Sequence, residues 1–200
     1  APGSWWYDSA AVEREVLAPF YAHLAAAIRE VDTEHLIGYE PVMWDMWASG
    51  FGSGAPVSGD PTREALSWHA YCWWAPNLTP SLSPLCALYH RHLFATHAFN
   101  MRVMGSAAIM SEYGSLGNRS VDLRELRRVG WLADVFLFSR VYWQYKNYHD
   151  LTSSGGYGSE DDDEVGGGFS LYPRGELQRN KLAAIATPYA QAVAGAPRLM

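Results

Sequence analysis

One acidic side chain of this sequence stands where chemistry is commonly done. Glu112, inside Ser111-Glu112-Tyr113-Gly114, follows the short apolar run Ala107-Ala108-Ile109-Met110 and precedes a glycine and a loop. A carboxylate at the end of a strand can attack an electrophilic carbon or exchange a proton, whereas one elsewhere on a surface is usually only solvated. Further residues of this kind end other short runs: Glu40 after Leu36-Ile37-Gly38-Tyr39, His69 and Tyr71 within Ala65 to Tyr71, and Trp143 within Arg140 to Tyr145. His69 and Tyr71 are two residues apart, so an extended backbone turns both to one face. The set offers a nucleophile or base, a phenol, an imidazole and an aromatic ring. Each member alone also has a plainer reading, as a solvated glutamate, a core histidine or a packed tryptophan.

The spacing of apolar residues predicts the elements that position this set. Behind Asp8-Ser9 as caps, residues 10–31 carry Val12, Val16, Phe20, Leu24, Ala27 and Ile28 at helical spacing, interrupted once by Pro19. A strand over 36–39, a long Gly-, Pro- and Trp-rich loop over 42–61, a strand over 65–71 and a helix over 85–103 with a His-rich face follow. Then come a strand closed by Met110, a helix over 123–138, a strand over 140–145 and, past the acidic glycine-rich loop 155–168, a helix over 177–193. Strands separated by crossovers imply parallel pairing and an α/β class. Four strands are half of the eight, in about 250 residues, that close a (β/α)8 barrel. An open parallel sheet with two unpaired edges is expected to associate.

Composition narrows the partners. With 200 residues, 48% of them hydrophobic and 14% aromatic, the chain can pack a core. A formal net charge of -6 and the lack of any Lys/Arg-rich tract argue against a nucleic-acid partner. No apolar run approaches a membrane span, and no charged-then-apolar leader opens the chain. It starts instead at Ala1 in Pro2-Gly3-Ser4-Trp5-Trp6-Tyr7, a loop in progress, so further sequence is expected upstream. No zinc motif, phosphate-binding glycine loop or serine triad is present, and neither metal nor cofactor is expected. The run Glu160-Asp161-Asp162-Asp163-Glu164 lacks calcium-loop spacing and reads as a solvated loop. Cys72 and Cys86 flank a proline-rich loop and suit either a disulfide or two free thiols. Together with the acceptor triplets Asn77-Leu78-Thr79 and Asn118-Arg119-Ser120 they lean towards a secreted or lysosome-like route.

Taken together, Tyr39-Glu40-Pro41-Val42-Met43-Trp44-Asp45, Leu66-Ser67-Trp68-His69-Ala70-Tyr71-Cys72, Ser111-Glu112-Tyr113-Gly114 and Trp143-Gln144-Tyr145-Lys146 resemble the family-5 glycoside hydrolases. Within that family they are most like the endoglycoceramidases, which cut between the glycan and the ceramide of glycosphingolipids. The helix ending Ala27-Ile28-Arg29-Glu30-Val31-Asp32-Thr33-Glu34-His35 adds to the resemblance, which covers about Ala22 to Lys146. It implies a (β/α)8 barrel of which residues 1–200 are the C-terminal part, strands five to eight, of a single catalytic domain. It also implies a retaining mechanism with two carboxylates roughly 5–5.5 Å apart.

On this resemblance Glu112 is the nucleophile, Tyr71 the phenol that holds it and His69 its neighbour on the same strand face. Trp143 is the platform beneath the sugar at the point of cleavage. Lys146, Glu40, Trp44, Asp45 and Trp73 are substrate-binding candidates, Asn147 could reach hydroxyls beside Lys146, and Glu40 reads as a hydrogen-bonding wall residue or the partner of a buried cation. The general acid departs from the pattern. The family carries it in an Asn-Glu-Pro motif, and no Asn-Glu pair occurs in this chain. Glu40-Pro41 is no substitute, because too few residues separate Glu40 from the His69 strand to hold another strand and helix. The acid is therefore expected upstream of Ala1, and the 200-residue chain alone is expected to be inactive. The implied partner is a carbohydrate or glycolipid, with membrane-surface contact through the lipid and with the N-terminal half of the barrel. A cellulase- or mannanase-like glycanase, a non-catalytic glycan- or lipid-binding relative and a purely structural half-barrel that pairs with a second chain are the alternatives.

Overall fold

The computed structural model describes residues 8–42, 47–72, 79–80, 82–145, 169–173 and 176–187. Its elements run α1 (Ser9–Val12), a π-helical turn (Glu13–Leu17), α2 (Ala18–Arg29), β1 (Ile37–Tyr39), β2 (Glu64–Ala70), α3 (Ser83–Met104), β3 (Ala107–Gly114), α4 (Ser120–Phe136), β4 (Ser139–Trp143) and α5 (Arg179–Ile185). The four strands form one parallel sheet in the order β1-β2-β3-β4. β1 sets the register against β2 through Ile37 with Glu64, Gly38 with Ala65 and Tyr39 with Leu66. Sequential parallel strands joined by helices are the arrangement of half a (β/α)8 barrel. Six of the seven β2 residues are buried, as expected of a parallel strand covered on both faces.

Three expectations need correction. β3 does not stop at Met110 but continues through Glu112 to Gly114, so the carboxylate lies within the strand's last turn of pleat and not after it. The final helix covers Arg179–Ile185, with residues from 188 onward outside those described. The helix over 10–31 ends at Arg29 and is divided. Asp8 caps it as expected, its Oδ1 accepting from the Ala11 amide at 2.9 Å. Pro19 then falls in the first turn of α2, directly after the π-helical turn, where the ordinary ladder has already been broken.

The chain divides into two compact units, Ala1–Trp68 with His92–Ile109, and His69–Arg91 with Met110–Met200. In the first, Tyr39, Leu66, Trp68, Phe94 and Met104 are buried, and Trp68 stacks on His97 at 4.2 Å between ring centroids. Glu13, wholly buried in the π-helical turn, accepts from the Val42 amide, the Ser49 hydroxyl and the Gly50 amide at 2.7–3.0 Å. That carboxylate ties the long loop to the helix. Gly50 must be glycine, since a Cβ there would lie 1.9 Å from the Ala10 carbonyl oxygen.

The second unit is built on α4, whose Leu123, Leu126, Val129, Leu132 and Ala133 are buried. Asp122 closes its first turn by accepting from the Arg119 amide, and Leu137 ends it in the left-handed conformation at φ 58°. Cys72, two residues past β2, is joined to Cys86 of α3 by a disulfide with Cα atoms 5.7 Å apart. The disulfide is thus the alternative realised. Within the same unit His90 and Glu125 meet at 2.8 Å, and Arg128 pairs with the other Glu125 oxygen.

Candidate active site

The site is assembled in the second unit. Tyr71 follows the last residue of β2, and His69 lies within that strand two residues earlier, so both side chains leave on one face. Glu112 presents itself from β3, between the buried Met110 and Tyr113. The Tyr71 hydroxyl donates to Glu112 Oε2 at 2.9 Å, and His69 Nδ1 lies 3.4 Å from the same oxygen. The rings of His69 and Tyr71 stand edge to face at 6.2 Å. Glu112 and His69 are 36% and 37% exposed in their side chains, so a ligand in solution can reach them. Burial first, and then the Glu112 carboxylate, push the Tyr71 phenol far above its ordinary range. Tyr71 therefore stays protonated and acts only as a donor.

The residues after Glu112 explain why the motif reads as it does. Tyr113 turns inward, 2% exposed, and packs edge to face with Tyr142 of β4. Gly114 sits at φ 133°, where a Cβ would lie 2.3 Å from the Trp143 carbonyl oxygen. A glycine alone lets β3 end against β4. Trp143, half-buried, ends β4, and its carbonyl accepts from the Ser115 amide at 3.4 Å.

Of the sequence-derived candidates, the structure brings His69, Tyr71 and Glu112 together and sets Trp143 at the end of the strand that follows. Glu40 belongs to the first unit. There, just past β1, its Oε1 accepts the Ser67 hydroxyl at 2.8 Å, in keeping with a hydrogen-bonding role. Lys146, Asn147, Trp44, Asp45 and Trp73 lie outside the described residues, as do Asn77 and the acidic run 160–164. Among the described residues no group of three or more His, Cys, Asp or Glu could hold a metal ion. No helix among them is long and apolar enough to cross a membrane.

Sequence reasoning missed two features. One is Tyr142, which packs on Tyr113 and donates its hydroxyl to the Phe169 carbonyl at 2.7 Å. The other is the buried pair His90 and Glu125 with the partly exposed Arg128 on it. A signal for it was present, because Glu125 falls in phase with the apolar face of α4, beside Leu126 and three residues after Asp122.

No protein-family profile matches the chain. Similar curated proteins include an endoglycoceramidase of Cyanea nozakii, 26% identical over 132 residues that make up 66% of this chain and 24% of that protein. An endoglycoceramidase of Hydra vulgaris is 28% identical over 132 residues, 66% of this chain and 23% of that one. The chain thus spans about a quarter of the length of the curated relatives it matches. Among solved structures, endo-glycoceramidase II from Rhodococcus sp. in a five-membered iminocyclitol complex superimposes with a TM-score of 0.73 at 22% identity, over 94% of this chain and 40% of that one. Its lactosyl-enzyme intermediate gives 0.71 at 23% identity and its ganglioside GM3 complex 0.72 at 21%, each over 94% of this chain and 39% of the other. The resemblance read from the sequence is borne out by these relatives, and so is the barrel-type α/β fold.

Proposed function

We propose that this chain is the C-terminal part of the catalytic barrel of a retaining glycoside hydrolase that cleaves the β-linkage of a glycosphingolipid, with Glu112 as the nucleophile. The observation that carries the reading is the convergence of Tyr71 and His69 on one oxygen of Glu112, in a carboxylate still open to solvent. Holding Oε2 leaves Oε1 to attack the anomeric carbon. A carboxylate fixed in one rotamer reaches the attack geometry without first losing conformational freedom. The bond from the anomeric carbon to the aglycone oxygen breaks as the ester to Glu112 forms, and water later cleaves that ester. The aglycone oxygen needs a proton, and with no Asn-Glu pair in this chain the acid comes from a segment outside it.

The names of the relatives support the substrate class, and the lactosyl-enzyme intermediate of the Rhodococcus protein is the species such a two-step route passes through. Trp143, at the end of β4, serves as the sugar platform, with Lys146 and Trp73 contributing further substrate contacts. The Cys72–Cys86 disulfide supports an oxidising compartment, hence a secreted or lysosome-like location.

The test is covalent trapping in the protein that carries this chain with its acid-bearing segment. An activated 2-deoxy-2-fluoro glycoside should add one sugar mass, located by peptide mapping to the segment holding Glu112. Glu112→Gln should abolish the adduct and lower turnover by at least about 10³-fold. A label elsewhere, or near-normal turnover, would overturn the assignment.

A further inference from the structure

Past the carboxyl end of β4 the described chain includes a short strap, Phe169 to Tyr172, tied down along its whole length. Its first residue is held by Tyr142, whose hydroxyl donates to the Phe169 carbonyl at 2.7 Å. Tyr142 also packs edge to face on Tyr113, the residue after Glu112, with ring centroids 5.6 Å apart, so the residue that holds the strap is seated on the strand that carries Glu112. Next along, the Ser170 carbonyl accepts from Gln178 Nε2 at 3.2 Å and from Lys181 Nζ at 3.4 Å, the latter a fully buried lysine. The Leu171 amide donates to the Gln144 carbonyl and the Tyr172 amide to the Tyr145 carbonyl, at 2.9 and 3.1 Å. This ladder carries the strap along the residues that follow Trp143.

Its product is an aromatic pair. Tyr145 and Tyr172 have ring centroids 4.9 Å apart and planes at 55°, and Tyr145 is 61% exposed. A ring so exposed adds nothing to the core, yet the backbone ladder and a buried lysine hold its partner in place. We propose that Tyr145 and Tyr172 form a second sugar platform, which takes the C–H face of the pyranose next along the glycan from the one at Trp143. The proposal rests on the glycosidase reading of Glu112 and Trp143 and names where that reading's glycan continues. The chemistry favours a sugar over an acyl chain. A pyranose offers an apolar face with a hydroxyl rim and suits an amphipathic ring that faces water, whereas a chain laid on a 61% exposed ring would remain half wetted.

The experiment is a titration of the acid-bearing protein that contains this chain, made inert by Glu112→Gln, with lactose, glucose and octyl glucoside, read by ligand-observed saturation transfer, in parent, Tyr145→Ala, Tyr172→Ala, Tyr145→Phe and Trp143→Ala forms. Near-UV circular dichroism checks that each variant is folded, and the Phe variant retains the ring if an Ala variant is not. The expected result is that each Tyr→Ala change weakens lactose about tenfold and leaves glucose unchanged, while Tyr145→Phe stays within about threefold of the parent. Lactose binding that is lost in Trp143→Ala but intact in both Tyr→Ala variants would overturn the platform and leave the Trp143 reading standing. Loss in the Tyr→Ala variants with none in Trp143→Ala would support the platform and count against that reading. Weakened octyl glucoside with unchanged lactose would assign the pair to an acyl chain and overturn the proposal. Lactose unbound by the folded parent would overturn it as well.

Discussion

The second unit contains two histidine–glutamate pairs built from the same groups and put to opposite ends. His69 meets Glu112 at 3.4 Å with side chains 37% and 36% exposed, and His90 meets Glu125 at 2.8 Å with side chains 2% and 0% exposed. The buried pair is the shorter, and it includes a cation, Arg128, which also donates to the Ser83 carbonyl. By contact geometry alone it would be the better candidate for chemistry. What separates them is access and surplus. Glu112 is held on one oxygen by the Tyr71 hydroxyl and the His69 ring, has the other oxygen to spare and faces solvent, whereas Glu125 is neutralised by Arg128 between α3 and α4. A carboxylate whose charge is already matched and sealed from ligands contributes to folding, and one that is held but open to solvent is available to react.

The sharpest way to break this contrast is to remove each carboxylate and measure stability. Glu125→Ala leaves Arg128 without its counter-ion and His90 Nδ1 without its partner, and should destabilise the chain by about 3–5 kcal/mol in urea unfolding. Glu112→Ala, at a site open to water, should change stability by less than about 1 kcal/mol. Equal losses would mean that Glu112 is a structural carboxylate like Glu125 and that the functional reading of the open pair is misplaced.

A smaller effect should come from the hydroxyl that the two pairs do not share. Tyr71→Phe removes a single donor to Glu112 Oε2 without altering the ring that packs there. A hydrogen bond to a charged group contributes about 1.5–3 kcal/mol, so turnover of the acid-bearing protein should fall roughly 10- to 100-fold with little change in stability. Unchanged turnover would show that His69 alone positions the carboxylate. A fall matched by an equal loss of stability would make Tyr71 a packing residue.

How much of this was legible in the sequence depended on the range of the interaction. The end of β1 at Tyr39, the existence of the other three strands, the Asp8 cap and the shared face of His69 and Tyr71 follow from local periodicity and were readable. The extension of β3 through Glu112 was not, because it depends on Gly114 passing the Trp143 carbonyl, a contact between residues about thirty apart in sequence. The ridge Val16, Phe20, Leu24 and Ile28 is 41–53% exposed, and Ala25 is the buried residue of α2. Periodicity marks an apolar face but not what covers it. The strap at Phe169 to Tyr172 had no signal at all, since backbone amides and carbonyls hold it and any sequence supplies those.

The last test concerns protons in the closed pair. Burial first, with Arg128 adding to it, holds His90 down to about 3, and burial alone holds His97 down to about 3 against Trp68. Both imidazoles are therefore neutral in the folded chain, and His90 Nδ1–H serves Glu125 as a neutral donor. In the unfolded chain each titrates near 6.5. Between about pH 6.5 and 3 the unfolded state binds more protons than the folded one, so stability is full above 6.5 and falls as the pH is lowered through that window. The steepest loss is about 1.4 kcal/mol per pH unit for each histidine. Urea midpoints measured at intervals from pH 7 to 4 should fall steadily, and His90→Asn should remove about half of the slope contributed by the two buried imidazoles. Their ring proton resonances should stay at neutral-imidazole shifts down to pH 4. A His90 resonance that titrates near 6.5 in the folded chain would show that the closed pair opens to water, and the distinction drawn between it and the His69–Glu112 pair would then be lost.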